Sequence, residues 1–177
     1  MMAVIDTNVL LVANDRHQGA SLECVEACIQ RLRAMQESGI TVIDDGQRIL
    51  TEYKGKTCPN QPKGPGDVYL KWLLRNTANP KHVEVVRLTE LAADRFAEFP
   101  DAALELQFDP SDRKFAAVAN AHPCKPVLLQ AADCKWLGWW EGLQAKGVKV
   151  EFLCPKDVRR FHRSKFPGGP CPPLPEA

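Results

Sequence analysis

Nothing in this chain approaches a run of roughly 18 uninterrupted apolar residues, so no helical membrane span is expected. The N-terminus has no basic stretch followed by a small-residue cleavage site, so no signal peptide is expected either. No Gly-rich phosphate loop and no G-x-G-x-x-G follows any strand-like segment, which weighs against a nucleotide cofactor. Seven cysteines are present, an odd number, and none forms a C-x-x-C pair. They are expected to be free thiols in a reducing, cytoplasmic setting. Cys24 and Cys28, one helical turn apart, are expected to pack rather than ligate. His122 and Cys124 have no matching second pair, which argues against a structural zinc module. There is no internal repeat.

What is present is an ordinary globular composition over 177 residues, enough for one domain with a sizeable core. Residues 1–165 are expected to form that domain. Residues 166–177, rich in proline, are expected to be a flexible tail that cannot build packed structure alone. The net charge of +1 conceals an uneven distribution. Residues 1–53 hold eight acids against four bases, and residues 82–145 hold ten against six. Residues 54–81 reverse this with six bases and one acid, as do residues 146–165 with seven and two. Basic rims around an acidic pocket suit a polyanion held over bound cations.

Hydrophobic patterning predicts strands at 3–5, 40–43, 83–88, 126–130 and 148–153. Between them, helices are predicted from Ser21 to Gly39, over 48–53, from Asp67 to Thr77, from Glu90 to Phe99, over 110–119, from Trp136 to Lys146 and over 156–165. Leu22, Val25, Ile29, Leu32 and Gln36 are expected to share one face of the first helix, and Val68, Trp72 and Leu73 one face of the third. Asp109 followed by Pro110 reads as an N-cap with proline at the first helical position. Strands alternating with helices predict an α/β fold, a Rossmann-like α/β/α sandwich around a mostly parallel sheet.

In such a sheet Asp6, Glu52, Asp112 and Asp133 all fall at the carboxyl edge, where these folds place their ligands. Two carboxylates ~4 Å apart repel by about 4 kcal/mol at an effective dielectric near 20. Four together would be expensive for a domain with only ~5–15 kcal/mol of stability. A hard divalent cation removes that penalty, and carboxylate oxygens suit Mg²⁺ or Mn²⁺. Each acid also has an ordinary explanation. Asp112 could complement the positive end of a helix, Glu52 could face solvent, and Asp133 could cap the helix near Trp136. Asp6 is the hardest to explain without a ligand. Their order and spacing together carry the metal reading. Asp44 and Asp45 also follow a strand, but the later residues of a phosphate-accepting receiver domain do not follow in order.

Four segments, Val4-Ile5-Asp6-Thr7-Asn8-Val9-Leu10-Leu11, Ile49-Leu50-Thr51-Glu52-Tyr53, Asp112 to Ala119 and Val127 to Asp133, resemble the PIN-domain family in family order. The resemblance implies a PIN-like nuclease, with Mg²⁺- or Mn²⁺-dependent cleavage of RNA phosphodiester bonds. Asp6, Glu52, Asp112 and Asp133 would then hold the metal and act catalytically, with Thr7 and Asn8 ordering the site. Lys54, Lys56, Lys63 and Arg113 would hold the nucleic-acid backbone. A toxin role opposed by an antitoxin protein is left open by the resemblance but not inherited from it, and family members often form homodimers, for which Trp139 or Trp140 could serve unless one of them has a core role. Two departures stand out. Many relatives carry another acid just after the fourth one, where this chain has Cys134-Lys135, a cation that disfavours a second metal ion. The 55–67 loop and the tail also exceed the compact toxins in length. Lys135 also favours an alternative, a domain that binds RNA or protein without turnover. A structure-specific DNA nuclease is a third reading.

Overall fold

The computed structural model describes residues 1–176. In chain order the elements are β1 (Met2–Ile5), α1 (Thr7–Ala13), α2 (Leu22–Ser38), β2 (Ile40–Asp44), α3 (Arg48–Lys56), α4 (Pro65–Arg75), β3 (Val83–Val86), β4 (Glu90–Ala92), β5 (Arg95–Phe96), α5 (Ala102–Glu105), α6 (Arg113–Ala121), β6 (Val127–Gln130), α7 (Trp140–Ala145), β7 (Val150–Phe152) and α8 (Pro155–Lys165). Single 3₁₀ turns precede α6 and α7, at Pro110–Asp112 and Cys134–Gly138.

Five strands form an all-parallel sheet in the order β3-β2-β1-β6-β7. Helices flank it, giving the Rossmann-like α/β/α sandwich that the alternation of elements predicts. The chain winds outward from β1 through β2 to β3, then returns to lay β6 on the other side of β1. That reversal opens a crevice beyond the carboxyl ends of β1 and β6. The central strands are fully buried at Ala3, Val4, Ile5, Leu128 and Leu129, as two-sided burial requires. Ala116 and Ala119 of α6 are also fully buried, and their small size lets α6 lie close over β1, β2 and β6.

Several expectations are corrected. Glu90–Phe99 is no helix but the β4–β5 hairpin, turned at Asp94 with φ +54°. Buried Glu105 accepts from Phe96 N at 2.8 Å and pairs with Arg95 Nε at 3.2 Å, holding the hairpin by contacts remote in sequence. The buried face of α2 is Cys24, Cys28, Leu32 and Met35, whereas Leu22 is 79% exposed. On α4 the buried set is Tyr69, Leu70 and Leu73, and Val68 is half exposed. The helix predicted from Trp136 to Lys146 is broken at Gly138-Trp139 into a 3₁₀ turn and α7. Trp139 and Trp140 are both buried, so neither offers a dimer surface.

The thiols are not all free: Cys24 and Cys154 form a disulfide, leaving Cys28, Cys58, Cys124, Cys134 and Cys171 unpaired. The tail returns to the body. Cys171 and Leu174 pack against the core, and the indole Nε1 of Trp140 donates to Pro173 O at 3.0 Å. No helix among the described residues is long and apolar enough to cross a membrane.

Candidate functional site: an acidic crevice at the sheet's switch point

Asp6 follows the last residue of β1. Its backbone N–H donates to Leu129 O of β6 at 3.0 Å, which ties the residue to the reversal in strand order. Its side chain caps α1, with Oδ1 accepting from Asn8 N at 2.7 Å. A strand ending in Asp-Thr-Asn therefore does use its acid in folding, contrary to expectation. The cap accounts for one oxygen and leaves the charge unanswered. Asp6 is buried, and burial raises its pKa well above 3.8, with further increments from Asp112, Asp133 and Glu52. The charges that face it are acids.

Thr7 and Asn8 fix the surroundings. Thr7 Oγ1 donates to Glu52 Oε1 at 2.6 Å, and Asn8 Oδ1 accepts from Ala132 N at 2.8 Å. The first bond orients the α3 carboxylate, and the second pins the loop after β6 on which Asp133 stands. Beneath them Tyr53, fully buried on α3, donates its hydroxyl to Ile5 O. Asp112 closes the 3₁₀ turn before α6 and is nearly buried. Burial pushes its carboxyl up to about 6, with Lys135 acting in the opposite sense and Asp133 adding to the rise. Asp133 accepts from Lys135 N at 3.1 Å, so its capping role and its place at the crevice coexist.

The structure thus brings Asp6, Glu52, Asp112 and Asp133 to one edge from four separate segments. It also inserts two lysines. Lys114 Nζ binds Glu52 Oε2 and Ser111 O. Lys135 Nζ binds Asp109 and lies 3.4 Å from Asp112 and 3.6 Å from Asp133. Burial opposes the charge on Lys135, but Asp109, Asp133 and Asp112 outweigh it and raise its pKa. Among the described residues, no three of these carboxylates bring oxygens within 4.8 Å of one another. In kind the donors fit a hard divalent cation, since all are carboxylates and Asp6 has no cation against it. In spacing, Lys114 occupies Glu52 alone while Lys135 stands among Asp109, Asp112 and Asp133, where a bound cation would compete with its ammonium group.

Asp109 does not cap a helix with its side chain; its carboxylate serves Lys135 instead. Asp109 and Lys114 are functional neighbours that the sequence reading assigns no such role. Lys114 carried a usable signal, because a cation in the first turn of a helix opposes the macrodipole unless an acid pairs with it. The acids after β2 are consumed locally: Asp44 accepts from Arg48 N at 2.8 Å and Ile49 N at 2.9 Å, and Asp45 accepts from Leu88 N at 3.1 Å.

Among the basic candidates, Arg113 is corrected. It is buried, and its guanidinium donates to Phe108 O and Asp94 O, so it cannot hold a nucleic-acid backbone. Lys54, Lys56 and Lys63 are exposed and make no contact with the four acids. Lys54 stands about 200° around α3 from Glu52, while Lys56, one turn on, shares its side. A groove of about 430 Å³ borders the crevice, lined by Asn8, His17, Asp133, Phe161, Ser164 and Lys165 among others. Arg160 of α8 is held by Gly19 O and Asp157, and exposed Arg159 and Arg163 stand on the opposite side of the helix from Phe161 and Lys165. Of the bases in residues 146–165, Lys165 lines this groove.

No family model, no curated protein and no solved structure matches the chain. The assignment of a function therefore rests on the site itself.

Proposed function

We propose that this protein is a metal-dependent nuclease that hydrolyses RNA phosphodiester bonds at the acidic crevice. The observation that carries the reading is the convergence of Asp6, Glu52, Asp112 and Asp133, from four separate segments, on the switch point of the sheet. The fold needs Asp6 for a cap but does not need three further acids facing it. Asp6, Asp112 and Asp133 would hold Mg²⁺ or Mn²⁺, with Glu52 oriented toward the same edge by Thr7 and Lys114. When bound, the cation supplies Lewis-acid polarisation of the scissile phosphate and activation of water.

The chain's own residues supply the rest. Asn8 holds the Asp133 loop in place. Lys135, once released from Asp112 and Asp133, is positioned to receive a phosphate oxygen. Lys165 lines the groove beside the crevice and would give the polyanion an electrostatic, sequence-independent contact. Incubation of a single-stranded RNA oligonucleotide with the protein and Mn²⁺ or Mg²⁺ tests the reading. The expected products carry 5′-phosphate and 3′-hydroxyl ends, and both EDTA and Asp6→Asn reduce cleavage to background. Cleavage that survives Asp6→Asn, or no cleavage of any RNA or DNA substrate with either ion, overturns it.

A second reading is favoured by one observation. Lys135 already sits where a cation would neutralise Asp112 and Asp133. On this reading the crevice binds RNA or a protein without turnover. Lys135→Gln separates the two. It increases the thermal stabilisation given by Mn²⁺ if the lysine competes with a metal, and leaves it at zero if the acids never take one. The resemblance extends the proposal to a cytoplasmic toxin with an antitoxin partner and to a homodimer. Co-expression with the adjacent upstream reading frame tests the former, and sedimentation tests the latter.

A further inference from the structure

Away from the acidic crevice, three sulfurs meet inside the molecule. Cys24 and Cys28 stand one turn apart on the buried face of α2, and Cys154 is the residue that opens α8. Cys24 and Cys154 are disulfide-bonded, and Cys28 Sγ lies 3.9 Å from Cys154 Sγ. All three sulfurs lie within 4.8 Å of one another, and all three residues are buried. The disulfide uses two of them and does not account for the third. A buried cysteine often serves only as a small apolar side chain. Here, though, a helical pair at i and i+4 converges with a remote third thiol, which is how thiolate sites for soft metals are built.

We propose that Cys24, Cys28 and Cys154 of the reduced protein bind one thiophilic cation, Zn²⁺ or Cu⁺, and that the Cys24–Cys154 disulfide is the oxidised, metal-free alternative of the same staple. The two states exclude each other because they share Cys24 and Cys154. Interconversion balances with a small-molecule thiol reductant. Two thiols become their own disulfide, passing two electrons and two protons to the Cys24 and Cys154 sulfurs. The cation then displaces the three thiol protons to solvent.

Cys28 is suited to this role and poorly suited to disulfide exchange. Burial pushes its thiol up to about 12, against a small opposing effect from Arg31, so it stays protonated unless a metal competes for the sulfur. Arg31 is itself paired with Glu151 at 2.6 and 2.9 Å, so its charge is largely spent there. Asp157, in the first turn of α8, is not free to act as a further ligand, since it accepts from Ser21 N at 2.7 Å and from Arg160 at 2.8 Å. A small open pocket of about 20 Å³, lined by Ser21, Glu23, Cys24, Cys154, Lys156 and Asp157 but not by Cys28, gives room for one water beside two of the three cysteines. Zn²⁺ would need a fourth ligand from solvent, whereas the three soft sulfurs alone suit Cu⁺. In either state α2 is tied to the start of α8.

This site shares no residue with the acidic crevice and stands or falls independently of the nuclease reading. The full-length protein, reduced and then freed of reductant without oxygen, is titrated separately with Zn²⁺ and Cu⁺ and read by native mass spectrometry. Cd²⁺ is added as an optical probe of thiolate charge transfer. The expected result is one Zn²⁺ or Cu⁺ per chain with a rise in melting temperature. Cys28→Ser should weaken binding beyond the ~10–100-fold that loss of a mere supporting residue costs. That variant retains both partners of the disulfide, so its oxidised form reports whether it folds. A Cys58→Ser, Cys124→Ser, Cys171→Ser triple variant should bind like the wild type. Uptake of neither cation by the reduced wild type, or equal affinity in Cys28→Ser, overturns the proposal.

Discussion

Asp6 does two jobs that different substitutions can separate. As a cap it needs an oxygen acceptor for Asn8 N, and as a ligand it needs a charge. Asparagine keeps the first and removes the second. Asp6→Asn should therefore melt above the wild type in metal-free buffer, because a buried carboxyl facing three acids destabilises the fold when ionised. Asp6→Ala should fall below Asp6→Asn by about 1 kcal/mol, the usual value of a lost N-cap. Both should lose Mn²⁺-dependent stabilisation in the same thermal melts.

Asp112 makes a prediction of definite sign. Its folded pKa is raised, from 3.8 to about 6, so the folded state holds the proton more tightly than the unfolded chain. Its contribution favours folding at low pH and is lost as pH rises through that window. The shift is worth at most about 3 kcal/mol. Denaturant melts across pH 4 to 7 should show this slope in the wild type relative to Asp112→Asn. Asp67 has the opposite sign. Burial works against its ionisation, but Cys58 N, Lys63 N and Asn14 together lower its pKa, so its contribution is lost as pH falls through the lowered value.

Among the elements, α1 and α4 pack through a glycine. A Cβ on Gly66 would run into the backbone of Leu10, reaching its carbonyl oxygen and lying 2.9 Å from its carbonyl carbon and 3.0 Å from its Cα. Alanine is the better helix former by about 1 kcal/mol. Overpacking against backbone costs about 1–3 kcal/mol, and α1 cannot retreat without moving Asp6 at its other end. Gly66→Ala should thus lower the melting temperature despite its propensity gain, and reduce any metal-dependent cleavage along with it. The misread elements share one cause. Periodicity placed Leu22 on a buried face, but α2, packed beside α1 and α4, buries the stripe of Cys24, Cys28, Leu32 and Met35. The segment 90–99 alternates poorly as a strand, and it is the remote Glu105 and Arg48 that stabilise the hairpin.

On the scale of the molecule, the tail is part of the structure that buries Trp140. Leu174 and Pro175 border a groove with Val127, Val150 and Phe152, and Pro173 satisfies the Trp140 indole. Truncation after Pro170 should cost about 1–2 kcal/mol from the lost apolar cover and hydrogen bond. For a chain this size that is a fall of about 3–6 °C in melting temperature, with tryptophan emission shifting to the red.

The parallel sheet and the place of the four acids, after its strands and in its helical segments, were legible in local pattern, whereas the strand order β3-β2-β1-β6-β7 was not. A buried strand writes itself as an uninterrupted apolar run, and an α/β chain puts the residue after such a run at the ligand edge. Which cations neutralise those acids was decided only in three dimensions, because Lys114 and Lys135 reach Glu52, Asp112 and Asp133 from other segments. The same holds for the meeting of Cys28 with Cys24 and Cys154, across a sequence separation of 130 for the bonded pair. Side-chain partners that distant leave no periodic trace in a chain; folding alone brings them within reach.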